Sequence, residues 1–166
     1  MGLFTHIAEM LTNEEWGFEP GPSATSLATG FEGANGRFVA VVAVREEEQQ
    51  LVFYAYAPDL TAPDQRIAMM ELVTRMNLGM MIGNFELDLD DGEVRFKVGV
   101  DAEAIEDPRA LVPAHLGTCL RTLDLYLPAI EAVQSGTASP SHALDLVEVD
   151  DEDEVAAEEP EDDAAR

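Results

Sequence analysis

Residues 83–100 read GNFELDLDDGEVRFKVGV, and the way this stretch is read decides the fold. Its centre, Glu86 to Glu93, crowds acidic residues around one glycine, as a calcium loop does. An EF-hand loop places acids at positions 1, 3 and 5, glycine at 6 and a bidentate glutamate at 12. Counted from Asp88, acids fall at the first, third and fourth positions and Gly92 at the fifth, and Gly99 stands where the glutamate belongs. The calcium reading fails on spacing.

The same residues alternate as a β-hairpin. Asp91-Gly92 is a pair that a two-residue type I′ turn favours. That turn sets Leu89 opposite Val94, Leu87 opposite Phe96 and Phe85 opposite Val98 on one face. On the other it sets Asp88 opposite Arg95 and Glu86 opposite Lys97, leaving Asp90 against Glu93 beside the wet turn. A slip of one residue would mix the two faces, so the pattern pins the pairing. Asp91 and Gly92 are expected as structural turn residues, not ligands.

Working back from the hairpin, residues 64–81 have helical spacing but no single apolar stripe. Ile67, Met70, Leu78 and Met81 lie on one side, while Met69, Leu72, Val73, Met76 and Met80 cover another. A helix this apolar must be buried on more than one side. Five of the seven methionines sit here, and methionine serves either as core filler or as an adaptable binding face. The second use makes Met69, Met70, Leu72, Val73, Met76 and Met80 a candidate dimer or client face.

Further back, FVAVVAV and LVFYAYA are rich in strand formers, and Asn35-Gly36 marks a turn before them, after SLATGFEG. Three strands in a meander follow, opened by a short amphipathic helix over 2–12, with Leu3, Ile7, Met10 and Leu11 at helical spacing, and a loop that docks Trp16 and Phe18. After the hairpin a last helix runs from about Leu111 to Tyr126, with Leu116, Cys119, Leu120, Leu123 and Leu127 as its inner stripe; Pro128 kinks or ends it, or AIEAVQSG over 129–136 adds another turn or two. The expected order is α-βββ-α-ββ-α: an α+β domain over 1–136, a twisted antiparallel sheet with helices packed on it. Residues 137–166 read as a flexible linker and a disordered acidic tail.

Charge narrows the function classes. The chain holds 9 basic and 34 acidic residues, net −25, of which residues 148–166 carry −10. Phosphate binding needs a basic stripe, so nucleic acid is not an expected partner. No apolar run is long enough to span a bilayer, and the start lacks both a basic signal region and a myristoylation pattern. One cysteine, Cys119, excludes an internal disulfide and fits a reducing compartment, so a cytoplasmic location is expected. His6, His115 and His142 lie in different elements, and no metal spacing or nucleophilic constellation stands out. No cofactor and no enzymatic activity are expected.

The strings Arg75-Met76-Asn77-Leu78-Gly79, Ile82-Gly83-Asn84-Phe85-Glu86-Leu87 and Asp91-Gly92-Glu93-Val94-Arg95-Phe96 resemble the YbjN-like family of bacterial proteins, as does TLDLYLPAIEAV over 122–133. The resemblance implies a fold like that of type III secretion chaperones, often dimeric, with no catalytic residues and a loose link to sensory or stress regulation. Two functions are then expected to compete. One is a non-enzymatic cytosolic protein-binding module, a chaperone-like or regulatory adaptor that is a homodimer and takes a protein or peptide partner. The other is a small-molecule-responsive regulator with a ligand between sheet and helices.

Overall fold

The computed structural model describes residues 2–13, 17–145 and 147. Helix α1 (Leu3–Asn13) buries Leu3, Ile7 and Leu11, a four-residue repeat that keeps one face on the core. Gly2 has no side chain to cap the helix. The Glu46 carboxylate, far away in sequence, accepts from the N–H groups of Leu3 (3.0 Å) and Phe4 (2.7 Å) instead. An anion there satisfies orphan donors and faces the positive end of the helix dipole. Trp16 lies outside the described residues; Phe18 packs against the core.

Strands β1 (Glu19–Pro20), β2 (Ser26–Glu32), β3 (Arg37–Arg45), β4 (Gln50–Tyr56), β5 (Asn84–Leu87) and β6 (Val94–Asp101) form one antiparallel sheet in the order β1-β2-β3-β4-β6-β5. The two-residue β1 falls in the segment expected as loop. Helix α2 (Arg66–Asn77) and helix α3 (Leu111–Gln134) pack on the same sheet face as α1, over Phe38, Val42, Phe53, Phe85, Phe96 and Val98. The architecture is α+β: a six-stranded open antiparallel sheet with helices packed on it.

The hairpin forms, but its register differs from the expected one. Phe85 pairs with Phe96, Glu86 with Arg95 and Leu87 with Val94, a slip of two residues. Side chains alternate with period 2, so this slip leaves both faces intact and alternation cannot detect it. The loop chemistry decides. Asp88 N–H donates to Glu93 O (2.8 Å), closing a four-residue loop from Leu89 to Gly92 in place of a two-residue turn. Within it the Asp88 carboxylate accepts from Asp90 N–H (2.8 Å) and the Asp91 carboxylate from Glu93 N–H (2.8 Å). Gly92 has φ +91°, and a Cβ there would stand 2.1 Å from Thr61 O. Thr61 N–H donates to Gly92 O (2.8 Å), tying the loop to the strand–helix connection. Asp91 and Gly92 are turn residues, and their loop is longer than the dipeptide implies.

In two other elements the structure settles or corrects the expectation. Helix α3 passes through Pro128 to Gln134. Proline has no N–H, so the helical bond to Asp124 O is missing. Asn35 Nδ2 donates to that oxygen (3.0 Å), while the Asp124 carboxylate accepts from the N–H groups of Ala34 and Asn35 (2.9 Å each). The β2–β3 turn thus clasps the helix where proline weakens it. Residues 140–145, expected as linker, are helical, and Ala143 and Val147 join the core. The rest of the acidic tail lies outside the described residues.

Candidate binding surfaces

The sheet determines which side of α2 is available. Met69, Leu72 and Met76 recur at helical spacing against β5 and are fully buried, and Val73 and Met80 are half-buried against the same core. Met69, Leu72 and Met76 are therefore core residues and cannot form a dimer or client face; of the candidate residues only Met70 is exposed. Apolar surface faces solvent on the opposite side, through Ile67 (75% exposed), Met70 (42%), Leu78 (88%), Met81 (94%) and Ile82 (56%). The helix ends at Asn77, four residues short of the expected limit, so Leu78, Met81 and Ile82 leave it on a turn with Gly79 (φ +90°) and Gly83 (φ +76°).

Asn77, in the R-x-N-x-G string, pins the neighbouring edge strand. Its Oδ1 accepts from Phe85 N–H (2.7 Å) and its Nδ2 donates to Phe85 O (3.0 Å), as a paired strand would. Nothing in the apolar periodicity pointed to this residue. An asparagine at a helix end just before a strand was the available signal.

The second surface is the other face of the sheet. Among the described residues every core-forming helix lies on the inner face; no helix packs on the outer one, where Val41 (4% exposed) and Ser26 (3%) are nevertheless buried. Register aligns them in rows: Gly30, Val39, Tyr56, Arg95 and Glu86 in one, Ala28, Val41, Tyr54, Lys97 and Asn84 in the next. Val39 is 48% exposed, Tyr54 and Tyr56 are half-buried, and Gly30 leaves a trough beside Val39 and Tyr56. The basic end of each row is neutralised. Glu86 accepts from Arg95 (2.8 Å) and from Lys97, and Arg95 also reaches Glu93 (3.2 Å) and lies 5.1 Å from the Tyr54 ring centre. Partial burial alone would raise the Glu86 carboxyl, but hydrogen bonds from Lys97 and Arg95 outweigh it and hold the group below its ordinary value. The same Glu86 bond overcomes burial to raise Arg95. Burial raises the Tyr56 phenol, against the opposing pull of Arg95.

Reactive side chains are placed structurally. Cys119 is fully buried on α3, its Sγ 3.5 Å from Phe53 O, and burial pushes its thiol up to about 12, far from a nucleophilic value. His115 stacks on Phe53 with ring centres 5.8 Å apart and contacts Leu111 O through Nδ1 (2.7 Å). Among the described residues no group of three or more His, Cys, Asp or Glu side chains is placed to hold a metal ion. No helix among them is long and apolar enough to cross a membrane.

A solved structure, "Crystal Structure of the ExsC-ExsE Complex", contains a chain similar to this one at 15% identity and a TM-score of 0.44, over 76% of this chain and 95% of that one. No curated protein matches. The family model YbjN, described as "Putative bacterial sensory transduction regulator", matches residues 4–132, which run from α1 almost to the end of α3 and include Asn77 and the hairpin. By that match the chain belongs to the YbjN family.

Proposed function

We propose that this protein is a non-enzymatic, cytoplasmic protein-binding module, an adaptor of regulatory or chaperone-like type, that works as a homodimer. One observation carries the reading: five large apolar side chains on α2 and the turn after it face solvent while the other side of the same helix is fully used in the core. Apolar residues scattered singly are ordinary, but here Ile67 and Met70 share one side of α2, with Leu78, Met81 and Ile82 on the turn just beyond it. Isologous pairing of two copies is the commonest way to cover such a patch. Each copy is strongly acidic, so contact has to be made through apolar surface where charge repulsion is least. Met70 belongs to this revised face; Met69, Leu72 and Met76 support it from beneath.

Light scattering across micromolar concentrations tests the proposal. The wild-type chain is expected at dimer mass, and Leu78→Glu, at a site 88% exposed, at monomer mass with an unchanged melting temperature. A wild-type chain that stays monomeric throughout overturns the homodimer.

A further inference from the structure

We propose that the outer face of the sheet docks a cationic amphipathic α-helix of a partner protein. The inference deepens the protein-binding reading and rests on it, and it uses a surface separate from the α2 patch. Two features of the face select the occupant.

The first is backbone chemistry. A strand's N–H and C=O groups point along the sheet plane to its neighbours, so a sheet face offers an arriving chain no ladder to join. An extended segment would therefore go to an edge, and both edges are blunted. At one edge β1 is two residues long and ends in Pro20; at the other, Asn77 occupies both Phe85 backbone groups. A helix satisfies its own backbone and needs only an apolar surface, which makes it the natural second layer on an uncovered sheet. The inner face shows this packing, with α2 and α3 laid over the same strands.

The second feature is charge. Each basic side chain on the face is already paired with a carboxylate: Arg37 with Glu32 (2.7 Å), Arg45 with Glu48 (2.6 Å), and Arg95 and Lys97 with Glu86. An acidic partner therefore meets no unpaired cation on the face. The chain as a whole carries a net −25, and on the face itself Glu19 and Asp101 stand at opposite ends of the sheet. The complementary ligand sets apolar side chains on Val39, Tyr54 and Tyr56 and directs lysine or arginine outward to the acidic rim. Electrostatics then accelerates encounter and the apolar trough gives selectivity.

The test uses the full chain and two synthetic leucine–lysine peptides of identical composition, one with an amphipathic helical order and one scrambled to remove the stripe. Binding is followed by fluorescence anisotropy over a salt series. The amphipathic peptide should bind at least about tenfold more tightly than the scrambled one. Val39→Glu makes the chain more acidic, so it discriminates: purely electrostatic adhesion strengthens, whereas docking on this face weakens by about tenfold. Equal affinities for the two peptides, or tighter binding of both by Val39→Glu, overturn the proposal. So does loss of dimer mass in Val39→Glu, because a second copy would then occupy the face. A photoreactive group on the amphipathic peptide should label β3 and β4; labelling of α2 instead refutes the assignment without depending on a variant. Leu78→Glu, measured in parallel, should change mass and leave peptide affinity alone. If the peptide fails to bind while Leu78→Glu still dissociates the dimer, the partner chemistry is wrong and the dimer stands.

Discussion

Replacing Asn77 by alanine tests whether the motif asparagine is a structural clamp on the sheet edge. The half-buried Asn77 amide makes two hydrogen bonds to Phe85, at 2.7 and 3.0 Å, and Phe85 itself is 2% exposed, its ring set edge-on to Phe96 and Tyr126. A net backbone hydrogen bond is worth about 1 kcal/mol, and a buried group left unpaired costs about 1–3 kcal/mol. Water reaches this edge in part, so the two lost bonds together cost about 2–3 kcal/mol. Alanine at the last helical position returns about 0.5 kcal/mol of helix propensity. The expected net loss is about 2 kcal/mol, or a fall of about 4–8 °C in Tm for a domain of this size. Urea unfolding gives the free energy, and hydrogen exchange at the Phe85 amide gives the site, since its protection should collapse in the native state before global unfolding. A loss under about 0.5 kcal/mol with the Phe85 amide still protected would refute the clamp. Asn77→Asp keeps the acceptor but loses the donor, so it should recover none of the bond to Phe85 O at neutral pH.

Three further outcomes are expected. Gly92→Ala combines φ +91° with a Cβ 2.1 Å from Thr61 O and should cost about 2–4 kcal/mol in urea unfolding, whereas Asp90→Ala, in the same loop, should cost under about 1 kcal/mol. In a double-mutant cycle, Asn35→Ala should be milder by at least about 0.5 kcal/mol in a Pro128→Ala background, because the new N–H can reach Asp124 O itself; strict additivity would mean Asn35 is not the stand-in donor. Glu86 is held below its ordinary value, so its contribution is fully present above about pH 4.5 and is lost as pH falls through its lowered folded value. The stability gap between wild type and Glu86→Gln should therefore be constant at neutral pH and close in acid, and a gap that widened in acid would reverse the sign of the argument.

Much of the fold was legible because burial imposes a period. The four-residue repeat of Leu3, Ile7 and Leu11 marked α1, and the alternation in residues 85–98 marked two strands of fixed facing. Leu116, Cys119, Leu120 and Leu123 marked α3, and all four are buried. The end of α3 stayed open between a stop at Pro128 and a further turn or two, because a proline weakens a helix and the hydrogen bond that compensates comes from Asn35, about ninety residues away. The helix over 140–145 was read as linker because its composition is polar and small; Ala143 and Val147 join the core and Leu144 packs against it. On α2 both sides were apolar, and the sequence could not say which one the sheet would cover. Asn77 carried no apolar signal at all.

The sequence by itself determined the kind and order of the main elements, which residues share a face of each strand, and a charge that disfavours nucleic acid. These depend on local periodicity and composition, which a chain carries wherever it packs. Tertiary structure alone decided the hairpin register, the available side of α2 and the sheet face on which, among the described residues, no helix packs. A slip of two residues preserves facing, so the choice fell to the loop around Gly92 and its contact with Thr61. A helix apolar on two sides has no preferred core side until it meets a sheet, and here β5 took Met69, Leu72 and Met76 and left Ile67, Met70 and Leu78 to solvent.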